Sequence, residues 1–150
     1  MKNKPPKLSI IVATTLMLST SAFAVDTKTT AGVPDLTSVR AKIEVEDFAA
    51  AIDELTPMLE TSPSADVYNL MGFSLRKSGD LKQAQTFYSK ALDFDPNHKG
   101  ALEYQGELYL QIGDISRAKA NLTKLAALCP TGCEERGDLE AKIAAAATVN

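Results

Sequence analysis

The feature that most constrains this chain is that it resembles itself at a fixed distance. Tyr68, Gly72, Leu75, Gly79, Asp80, Ala84, Tyr88 and Pro96 recur 34 residues later as Leu102, Gly106, Tyr109, Gly113, Asp114, Ala118, Leu122 and Pro130. Five of the eight pairs are identical residues. A period of this length marks stacked supersecondary units, each too small to bury its own apolar face. A third, weaker copy lies upstream: Asp47, Phe48, Ala51, Leu55 and Pro63 stand 33 residues before Asp80, Leu81, Ala84, Tyr88 and Pro96. Its first half, Asp35 to Val45, has lost the Gly but keeps Leu36, Val39 and Ile43 at helical spacing. A worn terminal copy is expected where a unit has a neighbour on one side only.

Each unit reads as a helix pair. Tyr68, Met71 and Leu75 lie along one face of a first helix, and Gly79 supplies the left-handed residue that commonly ends one. Asp80 is placed to cap the next helix, with Gln83 at the third position to reciprocate. Leu81, Ala84, Tyr88 and Ala91 form its buried stripe, and Pro96 stops it. Gly72 and Ala84 are small where the paired helices approach. Residues 133–147 read as a capping helix. Its Thr131 and Glu134 are spaced as a capping box, and Leu139, Ile143 and Ala147 form an apolar stripe. Glu135, Arg136, Asp138 and Lys142 are expected to face solvent.

The run Tyr68-x2-Met71-Gly72-x2-Leu75, continued by Ala84-x3-Tyr88 and Pro96, resembles a tetratricopeptide repeat, and so does its copy from Leu102 to Pro130. The second copy departs at Gln105, where an apolar residue is usual, and at Leu125, where a small one is usual. The expected architecture is an all-α solenoid of antiparallel helix pairs, at about 35–63, 65–96 and 99–130, closed by the capping helix. The turn Cys129-Pro130-x-Gly132-Cys133-Glu134-Glu135 is similar to the ends of small exported bacterial repeat proteins.

Before the repeats come 24 residues that read as an address. Lys2, Lys4 and Lys7 form a positive start, Leu8 to Leu18 an apolar stretch, and Ala22-Phe23-Ala24 a small-x-small cleavage site, with cutting expected after Ala24. An apolar stretch of 11 residues is too short to span a bilayer as a helix, which takes about 20. Residues 25–34 then read as a flexible lead-in. Cleavage leaves 126 of the 150 residues and removes three lysines and no acid, so the net charge falls from −3 to −6. A periplasmic or secreted location is the expectation, with no membrane span in the mature chain. That acidity disfavours nucleic acid.

The chain is poor in chemistry, with one His, two Cys and no Trp. In an oxidising compartment Cys129 and Cys133 are expected to form a disulfide across the turn, worth about 2 kcal/mol for so short a loop. A redox-active pair is the alternative, although their spacing is not Cys-x-x-Cys and no strand pattern accompanies it. Asp93, Asp95 and Asn97 mimic the start of a calcium loop, but His98 and Tyr104 stand where Gly and Glu are needed. Asn121-Leu122-Thr123 matches a glycosylation sequon inside an expected helix. His98 reads as structural, beside Asn97 as a helix cap. No Gly-x-Ser-x-Gly elbow or Gly-rich phosphate loop occurs. We therefore expect no enzyme, metal or cofactor.

What remains is a groove. The resemblance implies that the first helix of each pair lines a concave surface for a peptide or partner protein. By position this surface presents Asn69, Phe73, Arg76 and Lys77, then Glu103, Tyr104, Glu107 and Gln111. Phe73 and Tyr104 are either aromatic anchors or packing between repeats, and Arg76 with Lys77 could pair a partner carboxylate. Of the family's Lys and Asn clamp for chaperone tails only Asn69 is present, so no chaperone-tail binding is expected. Self-association, by stacking the ends or the worn N-terminal repeat on another copy, is a further alternative.

Overall fold

In a computed structural model, residues 33–148 are described. The expected signal segment, the Ala24 cleavage site and most of the lead-in lie outside them. The described chain is all α, with seven helices and no strand: α1 (Thr37–Glu44), α2 (Phe48–Thr61), α3 (Ala65–Lys77), α4 (Leu81–Phe94), α5 (Lys99–Gln111), α6 (Ile115–Leu128) and α7 (Glu134–Ala147). None is long and apolar enough to cross a membrane.

One turn, used three times, makes the pairs. Each first helix ends with a left-handed residue, and the following Asp returns its N–H to a carbonyl five residues back. Asp80 N–H reaches Leu75 O at 2.9 Å, and Asp114 N–H reaches Tyr109 O at 2.7 Å. The Asp side chain then caps the next helix. Asp47, Asp80 and Asp114 accept from the N–H of Ala50, Gln83 and Arg117 at 3.1, 3.0 and 2.9 Å. Gln83 does not reciprocate to the backbone as a capping box would. Its amide donates to the Asp80 carboxylate, because the Asp80 N–H is already engaged by Leu75. In the worn unit the left-handed position is kept without glycine: Glu46 has φ 59°, and Asp47 N–H still reaches Lys42 O at 2.9 Å.

Two cap assignments need correction. α5 is capped by His98, not Asn97: His98 Nδ1 accepts from Ala101 N–H at 3.0 Å, while Asn97 N–H bonds the Asp95 side chain in the preceding turn. α7 begins after Cys133 with no side-chain cap, so Thr131 and Glu134 form no capping box. Geometry decides both, since the capping side chain must sit just outside the first helical residue.

α1, α3, α5 and α7 form one layer and α2, α4 and α6 the other, each helix packing on its neighbours in sequence. α7 rests on α5 and α6 as α5 rests on α3 and α4, so the cap takes the place of a further first helix. Ala147 remains exposed, leaving Leu139 and Ile143 as the buried stripe of α7.

Small residues set how closely helices meet. A Cβ at Gly72 would stand 2.8 Å from Tyr88 Cδ1, in a core where Tyr88 is fully buried. The worn unit solves the same problem with reversed sizes: Val39 and Leu55, also fully buried, occupy the places of Gly72 and Tyr88. At Gly106 a Cβ would meet Leu139 Cδ2 of the cap at 2.6 Å. That glycine admits α7, and Leu122, its repeat-pattern partner, is only partly buried. Gly72→Val is expected to destabilise the fold by about 1–3 kcal/mol through overpacking. Adding Tyr88→Leu recreates the Val39–Leu55 combination and should recover part of that loss, measured by urea unfolding. Glu46→Gly relieves left-handed strain at an exposed turn and should raise stability by about 0.5–1 kcal/mol in the same assay.

Candidate functional site in the groove of the first helices

Asn69, Phe73, Arg76 and Lys77 follow one another at helical spacing along α3, and Glu103, Tyr104, Glu107 and Gln111 do so along α5. The two rows face each other across the floor of the groove. Phe73 and Tyr104 pack in a tilted pair, 57° between planes, with ring centroids 4.9 Å apart, and Phe48 meets Phe73 edge-on at 6.3 Å. Both central rings are half-buried, so they join the repeats and also present an edge to a cavity of about 170 Å³ with Arg40, Ile43 and Leu70.

Arg76 is not available to a partner. Its side chain is only 5% exposed, its Nη2 lies 2.7 Å from Glu107 Oε2, and its Nε donates to Tyr88 Oη at 3.3 Å. Its guanidinium carbon also lies 5.5 Å from the centroid of Phe73 and 6.0 Å from that of Tyr104. The expected pairing of Arg76 with a partner carboxylate is therefore already satisfied from within. Lys142 of α7 closes on the other Glu107 oxygen. The cap thus contributes a charge to the groove from Lys142, which is exposed as expected and paired at the same time. Glu135 is likewise paired, with Lys99 at 3.6 Å, and Arg136 donates to the carbonyls of Cys129 and Pro130. Lys77 and Gln111 are exposed, Lys77 with its ammonium 5.8 Å from the Phe48 ring.

At the other end, between the N-terminal parts of α3, α5 and α7, a cavity of about 500 Å³ opens. Asn69, Glu103, Asp66, His98, Glu134 and Asp138 are among its lining residues. His98 lies 3.2 Å from Asp66 Oδ1 through Nε2 while its Nδ1 caps α5, so the N–H belongs on Nε2 and the ring acts as a clip between repeats. Glu103 is buried with no hydrogen bond or ion pair among the described residues. Burial, and then the Glu107 carboxylate, push its carboxyl up to about 7 against the relief given by Lys142. Burial likewise raises the Tyr104 and Tyr88 hydroxyls.

A polar relay escaped the sequence reading. Gln105 is buried, and its departure from the apolar pattern is answered by Asn121. The Asn121 Nδ2 donates to Gln105 Oε1 at 3.1 Å and to Leu102 O at 3.0 Å, and Gln105 Nε2 donates to Ser89 at 3.4 Å. The sequon at Asn121 is thus closed to a glycan by burial. Cys129 and Cys133 are placed as a bonded pair with Cα atoms 5.9 Å apart, at the join of α6 and α7.

Residues 65–98, the α3–α4 pair and the turn after it, match the model of the tetratricopeptide repeat. The chain carries a tetratricopeptide repeat. The fold agrees along most of its length. PcrH, solved in complex with the chaperone binding region of PopD, superposes with a TM-score of 0.65 at 17% identity, over 74% of this chain and 86% of that one. The first TPR of Spaghetti (RPAP3), bound to the HSP90 peptide SRMEEVD, superposes with a TM-score of 0.64 at 16% identity, over 74% and 88%. By sequence, the uncharacterised protein ycf37 of Pyropia yezoensis is 31% identical over 64 residues, 43% of this chain and 36% of that protein. The chain spans about a third or less of the curated relatives it matches.

The buried carboxyl in this repeat groove has a pH signature. With the folded value near 7 and an ordinary value of 4.5, the unfolded chain loses this proton first as pH rises. Stability drawn from protonated Glu103 is present below pH 4.5 and is lost as pH rises through about 7. Glu103→Gln should therefore have a higher Tm than the parent at about pH 8 and a much smaller advantage at about pH 5, followed by circular dichroism.

Proposed function

We propose that this chain is a non-catalytic interaction module that holds a segment of another protein in the groove of its first helices, working in the bacterial cell envelope. The groove carries this reading. Its floor is a satisfied network of Phe73, Tyr104, Arg76 and Glu107, and cavities of about 500, 170 and 400 Å³ are lined from α3 and α5, with α1 or α7 beside them. A prepaid floor with open space above it is suited to recognition, because few side chains must be ordered on binding. Two structural neighbours, each solved with a segment of another protein bound, support a binding role for this fold. The N-terminal lysines, apolar stretch and Ala24 site support export, and the Cys129–Cys133 pair suits an oxidising compartment. The proposed partner is a protein segment, without nucleic acid or cofactor.

In-cell photocrosslinking tests this reading at exposed positions that leave the packing alone. A photoreactive residue at Lys77 or Gln111 should capture the same defined protein, and one at Lys82 or Lys119, exposed on the second helices, should not. Equal capture from both faces, or capture from neither, overturns the groove assignment.

A further inference from the structure

The cavity of about 500 Å³ between the N-terminal parts of α3, α5 and α7 differs from the rest of the groove in its charge. Six carboxylates line it, from Asp66, Asp95, Glu103, Glu134, Glu135 and Asp138, against two permanent cations, Arg40 and Lys99. Asp66 faces Arg40 at 3.7 Å, and Glu135 faces Lys99 at 3.6 Å. Among the described residues, no cation comes within ion-pair distance of Glu103, Glu134 or Asp138.

Part of this acidity has a local cause. Asp66, Glu134 and Glu135 stand in the first turns of α3 and α7, where a carboxylate complements the positive end of the helix. Glu103 and Asp138 lie beyond those turns. Glu103 is 6% exposed and carries its carboxyl into the cavity lining with no donor of its own. Beside it stands Asn69, 5% exposed, whose Oδ1 is buried without a hydrogen-bond partner. Buried acceptors without donors are rare in folded proteins. One such acceptor, Asn69 Oδ1, belongs to the lining of this open cavity, and the Glu103 carboxylate in the same lining has no hydrogen-bond or ion-pair partner among the described residues. No group of three or more acids, His or Cys among the described residues is arranged to hold a metal ion. The cavity is many times the ~30 Å³ share of one water, so it has room for a side chain and its backbone.

We propose that this cavity receives a lysine or arginine side chain of a basic partner segment, whose N–H groups donate to Asn69 Oδ1 and to the Glu103 carboxylate. The inference rests on the groove-binding reading above and gives the partner its chemistry. It also sets the proposed partner apart from the peptide bound by Spaghetti, SRMEEVD, which is rich in acids. A cation at Glu103 favours the ionised carboxylate, so binding releases a proton and tightens as pH rises. Other titratable and charged groups face Glu103. They are Tyr104 and Glu107 on α5, Glu135, Asp138 and Lys142 on α7, Asp66 on α3, Arg40 on α1 and His98 at the head of α5. Only the part of the pH dependence removed by Glu103→Gln belongs to Glu103.

Fluorescence anisotropy on the full chain tests this with a labelled peptide of alternating alanine and lysine, and with the alanine–glutamate peptide as its opposite. The lysine peptide should bind and the glutamate peptide should not. Glu103→Gln and Asn69→Leu should each weaken the lysine peptide about tenfold, as expected for a lost charge-assisted hydrogen bond. Glu60→Gln, an exposed acid on α2, should change little. Equal loss from Glu60→Gln and Glu103→Gln reveals only diffuse attraction and overturns the proposal, as does equal binding of the two peptides. Glu103→Gln is close to isosteric and decides the matter if Asn69→Leu fails to fold. If groove crosslinking captures a partner whose bound segment has no lysine or arginine, the cationic assignment falls while the interaction module stands. If the lysine peptide binds through Glu103 but groove crosslinking captures nothing, the reverse holds.

Discussion

The Arg76 guanidinium sits on α3 yet is held by Tyr88 of α4 and by Glu107 of α5, and Glu107 is held in turn by Lys142 of α7. Four helices therefore meet at one buried charge. A guanidinium this far from water persists only when its donors are matched, and removal of either partner would strand the other. The planar, five-donor head is what lets one residue reach a hydroxyl, a carboxylate and two aromatic faces together. This junction fixes the floor of the groove, and it consumes the cation that the sequence seemed to offer a partner.

The electrostatic character of the site follows from that junction. With Arg76 neutralised internally, the cations left to the groove are at its ends or in solvent. Glu107 has two cations and Glu103, one helical turn away, has none within ion-pair distance. Two glutamates on one face of α5 thus have opposite roles, set by which neighbouring helix supplies a positive charge. One closes the structure, while the other keeps an unmet demand for a donor.

The cap helix accounts for much of what the repeat pattern could not convey. Periodicity places α3 to α6 well, since each unit repeats the same glycine turn, Asp cap and small-residue contacts. It says nothing about α7, which has no copy. Leu139 fills the space over Gly106, Lys142 enters the groove, and Glu134, Glu135 and Asp138 make one wall of the acidic cavity. Gln105 and Leu125 stood out as departures from the pattern, and the structure gives the first a cause, the relay through Asn121. The relay was illegible because its members lie 16 residues apart on different helices, a spacing that no periodicity marks.

By itself the sequence determined the secondary structure and the pairing of helices. Those depend on local matters: helical spacing of apolar residues, a left-handed residue before an Asp, and small residues where helices touch. Even the worn first unit obeys them, with Glu46 bearing the backbone angle that glycine bears elsewhere. Only the tertiary structure decided which groove residues remain free to bind. That choice depends on how charges from different helices are matched in a space where water is scarce. Such matching acts between residues distant in the chain, so it separates Arg76 from Lys77 and Glu107 from Glu103 although the sequence presents each pair alike.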